Sequence, residues 1–189
     1  MKFPRLNILV TVAAAAIAVL AVIRLEAARG GVEIEHRHLG ETPVTVYRGD
    51  ISSGSLVVVS HGFAGSRQMM ESISLTLANS GHTVVAFDYL GHGRHSRPMS
   101  PDIRSLTGTT EDLVRQTLDV VERARGLIDA DEVALIGHSM ATDVVIRAAE
   151  RLPGVDEVVA ISMYSEAVTS QHPKRLLVVS GEHETRLRE

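Results

Sequence analysis

The sequence predicts an α/β fold: a mostly parallel β-sheet covered by helices on both faces. Three observations carry this expectation. Short, continuous β-branched runs recur along the chain; segments of helical period separate them; and 44% apolar against 22% charged residues in a chain of 189 is enough to bury one core. The same composition excludes several function classes. With no cysteine there is no disulfide framework, zinc ribbon or thiol nucleophile. Aromatics at 3% and a net charge of −4 leave neither a base-stacking platform nor an electrostatic footprint for nucleic acid.

The first element is apolar. Residues 6–23 contain no charge and only Asn7 and Thr11 as polar members, close to the roughly 20 residues a transmembrane helix needs. A membrane-spanning anchor over residues 1–24 is therefore expected, and with it a membrane partner. Lys2 and Arg5 precede the run, which places the N-terminus in the cytoplasm and the rest of the chain outside it, periplasmic in a bacterium. The rival is a cleaved signal peptide releasing a secreted protein, for which Leu25-Glu26-Ala27-Ala28 is a poor cleavage match. Residues 25–31, ending in Gly30-Gly31, read as a linker, and the α/β domain is expected over residues 32–189.

Val32–Leu39 and Thr42–Tyr47 alternate in character around Gly40-Glu41, the pattern of an antiparallel hairpin. Ser55–Ser60 is continuous and apolar, as a strand buried on both faces should be. Similar runs follow at Thr83–Phe87, Glu132–Ile136, Val158–Ile161 and Arg175–Val179. Helical period is expected over residues 67–79, 110–127 and 140–152. In the middle one Leu113, Leu118, Val121 and Ala124 share a stripe, with Thr110 as N-cap.

Chemistry concentrates where strands end. Gly137-His138-Ser139-Met140-Ala141 lies between a buried strand and a helix, the context that makes a G-x-S-x-G-like string a nucleophile elbow. Small residues at Gly137 and Ala141 permit the tight turn, and Ser139 then stands at a helix N-terminus that favours developing negative charge. Ser139 is the candidate nucleophile. After the first buried strand, His61-Gly62-Phe63-Ala64-Gly65 turns sharply enough, through Gly62, to aim a backbone amide at a substrate oxygen; Phe63 and Met140 are the candidate oxyanion-hole donors. A third loop, Asp88-Tyr89-Leu90-Gly91-His92-Gly93-Arg94-His95, closes the next strand. His92 and His95 in it, without a nearby carboxylate cluster, fit structural or solvated roles better than a metal site, so neither metal nor organic cofactor is expected.

These three loops, in this order and spacing, resemble the α/β-hydrolase superfamily over residues 42–184, and in particular its dienelactone-hydrolase-like and esterase branches. The resemblance implies a serine hydrolase, an esterase acting on a small-molecule ester or related acyl substrate. It also implies a triad in the order serine, acid, histidine. Val178-Val179-Ser180-Gly181-Glu182-His183-Glu184 looks like the acid-bearing turn, with Glu184 in the usual place and Glu182 and Glu166 as alternatives. The catalytic histidine stays unassigned: His183 adjoins the acid and His138 lies inside the elbow. The chain is accordingly expected to be a C-terminally truncated hydrolase lacking the last strand and helix, the alternative being a non-catalytic module of the same fold that binds a ligand. The short interval between Ser162 and Arg175 predicts no inserted lid and an open site.

Overall fold

The computed structural model describes residues 5–51, 53–99, 108–128, 130, 132–162 and 173–182. Seven strands form one sheet in the order β1-β2-β4-β3-β5-β6-β7. β1 (Val32–Leu39) and β2 (Thr42–Gly49) make the expected hairpin in full register, from Val32 opposite Gly49 to Leu39 opposite Thr42. β2 then pairs antiparallel with β4 (Thr83–Phe87). From β4 onward every pairing is parallel: β4 with β3 (Ser55–Ser60), β3 with β5 (Glu132–His138), β5 with β6 (Val155–Ile161), and β6 with β7 (Arg175–Val179). Parallel pairing brings the carboxyl ends of β3, β5 and β6 side by side, and this edge carries the candidate site.

Alternation along the central strands feeds two cores. Leu56, Val58, Val85 and Leu135 point to one face and are fully buried against α3 (Thr109–Arg125) and α4 (Ala141–Ala149). Val57, Val59, Val84 and Ala86 point to the other, against α2 (Glu71–Asn79) and the 3₁₀ turn at Arg67–Met70 that precedes it. Each valine or leucine so removed from water contributes about 1.5–3 kcal/mol, which is why runs without a polar face are tolerated here. β7 departs from the expectation of a strand buried on both faces: Leu176, Leu177, Val178 and Val179 are all exposed.

Two further expectations require correction. Residues 6–23 do form a helix, α1 (Arg5–Arg29), but the expected transmembrane helix or signal anchor is not found: among the described residues no helix is long and apolar enough to cross a membrane. The helix continues through the charges of Arg24, Glu26 and Arg29. Its last turn is tied to the domain, Arg29 pairing with Glu71 of α2 at 2.8 Å. The membrane partner expected through this helix loses its support with it. In α3 the buried stripe is Leu113, Val114, Gln116, Thr117, Val120, Val121 and Ala124, Leu118 is only partly buried, and Gly108 rather than Thr110 occupies the N-cap position. Gln116 and Thr117 are polar, so hydrophobic periodicity alone misses this face.

Candidate active site

The elbow is built from backbone constraints that only particular residues satisfy. Ser139 adopts φ +52° immediately after β5, a left-handed conformation uncommon for a residue with a Cβ. Its amide donates to Ile161 O at the end of β6 (2.8 Å), and its carbonyl accepts from both the amide and the hydroxyl of Thr142 (2.9 and 2.7 Å). Gly137 is obligatory for a steric reason. A Cβ there would lie 2.6 Å from Ala141 O and 2.7 Å from Val145 Cγ2, because α4 folds directly back over the strand it leaves. Ala141 is itself fully buried, so the residue two after the serine is small for the same packing.

The loop after β3 presses onto this elbow. A Cβ on Gly62 would stand 3.0 Å from Ser139 Cβ and 3.0 Å from His138 Nδ1. The chain turns at Gly62-Phe63-Ala64-Gly65, with Gly65 N–H donating to Gly62 O (3.0 Å) and Ala64 at φ +56°. Among the described residues neither the Phe63 amide nor the Met140 amide makes a hydrogen bond. Both are therefore free to donate outward. Phe63 is exposed and meets the His92 ring edge-on at 5.8 Å.

Buried polar groups hold that loop from behind. His61 is fully buried, and its tautomer follows from its partners. Tyr89 N–H donates to Nε2 (3.2 Å), so the proton sits on Nδ1 and is donated to Gly62 O (2.8 Å). Burial, the largest influence on the ring, pushes its pKa below the ordinary value of 6.5 and keeps it neutral. Asp88, fully buried at the end of β4, ion-pairs with the buried Arg67 guanidinium. It also accepts from the amides of Arg67 (2.8 Å) and Arg94 (2.9 Å), joining the loop after β3 to the loop after β4. Arg67 Nε donates onward to Thr45 Oγ1 (3.0 Å). Gln116 of α3 donates to Thr42 Oγ1 (3.1 Å) and Asp88 O (3.0 Å) and accepts from Leu90 N–H (3.0 Å).

Of the residues singled out in the sequence, Ser139, Gly137, Gly62, Phe63 and Met140 belong to the elbow and the loop packed on it. His92 and His95 turn inward to their own loop: His92 Nδ1 meets Leu90 O (2.9 Å), and His95 Nδ1 accepts from Arg97 N–H (3.1 Å). Glu182 is exposed just beyond β7. Glu166, His183 and Glu184, and the segment in which a lid would be inserted, lie outside the described residues. Sequence reasoning missed Arg67, Asp88, Gln116 and Thr142. Only Asp88 left a signal, as a carboxylate placed directly after a strand with no polar face.

Comparison with known proteins bears on the fold. Residues 55–178 match the sequence profile of a family described as alpha/beta hydrolase fold. Lipase 1 of Psychrobacter immobilis is 28% identical over 134 residues, covering 70% of this chain and 39% of that protein. Among solved structures, TT1662 from Thermus thermophilus superposes with a TM-score of 0.57 at 19% identity, over 76% of this chain and 64% of that one. An epoxide hydrolase from an endophytic Streptomyces gives 0.53 at 20% identity, over 72% and 39%. The structural likenesses speak for the fold. The chain spans between 24% and 42% of the length of the curated relatives it matches.

Proposed function

Because this chain belongs to the α/β-hydrolase fold family, we propose that it is a serine hydrolase cleaving carboxylic esters through an acyl-enzyme on Ser139. The observation that carries the proposal is the left-handed Ser139 at the end of β5, between a glycine that tolerates no Cβ and the first turn of α4. Strain of this kind costs about 1–3 kcal/mol and is held in place by the Ile161 and Thr142 hydrogen bonds. In the reaction Ser139 Oγ attacks the carbonyl carbon as its proton passes to a base, and the carbonyl oxygen gains the negative charge. The Phe63 and Met140 amides, unpartnered in the described residues, stabilise that oxyanion. Collapse expels the alcohol, which takes up the proton, and water then releases the acid. Glu184 is assigned to orient the base. His61 is unsuited to be that base, since both its ring nitrogens are spent on Gly62 and Tyr89.

One observation favours a second reading, a non-catalytic module that binds an acyl ligand at the same place: among the described residues no histidine hydrogen-bonds Ser139 Oγ. A fluorophosphonate probe separates the two. Covalent labelling of the wild type that disappears in Ser139→Ala supports the hydrolase, whereas a folded wild type that never labels refutes it.

A further inference from the structure

The described chain contains three residues other than glycine at positive φ: Ala64 at +56°, Ser139 at +52° and Ser162 at +51°. All three lie just beyond the carboxyl ends of β3, β5 and β6, neighbours in the sheet. Ala64 belongs to the candidate oxyanion loop and Ser139 is the candidate nucleophile. Ser162 has been given no role.

Its geometry repeats that of Ser139. Ser139 N–H donates to Ile161 O, and Ser162 N–H donates to Val179 O, both at 2.8 Å. Each serine thus leaves its strand in the left-handed region while its amide is caught by the last residue of the next strand. His138 is opposite Ile161 in the β5–β6 register, so Ser162 stands one strand over from Ser139, a separation of about 4.8 Å between strand axes. Asn and Asp tolerate left-handed backbone partly because their side chains bond locally. Ser162 has no such compensation: among the described residues its hydroxyl makes no hydrogen bond. A strained, half-buried serine with an unspent hydroxyl beside the nucleophile is costly unless the hydroxyl is used.

Building on the hydrolase reading, we infer that Ser162 is a substrate-binding residue whose hydroxyl hydrogen-bonds the acyl substrate while Ser139 attacks it. The hydroxyl can donate to an ester oxygen or accept from a substrate N–H or O–H. Ser162→Gly separates this role from a structural one, since glycine adopts φ +51° without strain and removes only the side chain. The experiment measures the second-order rate of fluorophosphonate labelling together with the melting temperature, for wild type, Ser162→Gly and Ser162→Ala. Both variants should label about tenfold more slowly, the alanine variant melting near wild type and the glycine variant no lower. Labelling of Ser162→Gly at the wild-type rate overturns the inference and leaves Ser162 a backbone feature. A wild type that does not label overturns the nucleophile assignment itself, and Ser162 falls with it.

Discussion

Replacing Asp88 by asparagine keeps the shape of the side chain and removes its charge, which makes it the sharpest test of how the candidate oxyanion loop is held. In the native chain the carboxylate accepts from three donors: the Arg67 amide and guanidinium, and the Arg94 amide. Asparagine retains one acceptor oxygen; its NH₂ group would face donors. The Arg67 guanidinium, only 5% exposed, would become a buried cation without a carboxylate. Removing one partner of a buried pair costs about 3–5 kcal/mol. For a domain of this size about 2–4 °C of melting temperature accompanies each kcal/mol, so a drop of about 6–20 °C is expected. Thermal unfolding followed by circular dichroism measures it. Because Asp88 pins Arg67 just beyond the Gly62–Gly65 turn, the variant should also label more slowly at Ser139 at temperatures where it remains folded. Arg67→Met in the Asp88→Asn background should recover part of the stability, since an apolar residue at position 67 removes the orphaned charge. A loss below about 1 kcal/mol in the single variant, or a double variant less stable than the single, would refute the reasoning.

Other outcomes follow from the same geometry. Gly137→Ala places a Cβ 2.6 Å from Ala141 O; overpacking of this kind costs about 1–3 kcal/mol, and urea denaturation should show it along with lost labelling. Ser139→Gly relieves the left-handed strain and should raise stability by about 1 kcal/mol while abolishing labelling. Gln116→Leu strands Leu90 N–H and Asp88 O and should cost about 1–3 kcal/mol in the same denaturation assay. Stability should also fall on acidification. The folded pKa of His61 is depressed, so its contribution is fully present above the unfolded value of 6.5. It is lost as pH drops through that value and on toward the folded one, with a slope of up to about 1.4 kcal/mol per pH unit. A flat stability profile between pH 7.5 and 5 would contradict the buried, neutral ring.

β3 and β4 were legible because burial on both faces writes itself into sequence as β-branched runs, and their limits read from those runs match the structure; the limits of β7 match its run as well, although its side chains are exposed. The elbow was legible for a related reason: Gly137 and Gly62 stand where no Cβ fits, and steric exclusion leaves a residue-level mark. What escaped were side chains whose burial depends on distant partners. Gln116 carries no apolar signal, and it is buried because Thr42 and the carbonyl of Asp88 are brought to it from β2 and the end of β4. Arg67 likewise owes its burial to the distant carboxylate of Asp88. α1 escaped in the opposite sense, since its apolar composition suggested a bilayer span while the helix runs on into charges that pair with the domain.

The concentration of strain also bears on why this edge of the sheet, and not the opposite one, should carry chemistry. Parallel strands end together, and any residue that must present its side chain beyond the sheet has to break the strand's backbone conformation within one residue. Glycine does so without strain but offers no side chain. Serine in the left-handed region offers a hydroxyl at a conformational cost that the rest of the fold must cover. At Ser139 and Ser162 the covering hydrogen bonds come from the carbonyls of Ile161 and Val179, the last residues of the adjacent strands, so the sheet itself stabilises the conformation. The two strained hydroxyls therefore depend on strand pairing of β5 with β6 and of β6 with β7. A substitution that weakens the outer pairing, such as Leu177→Pro in β7, should slow labelling at Ser139 two strands away before it unfolds the central sheet. Labelling that survives unchanged while β7 loses amide-exchange protection would show that the elbow stands without that support.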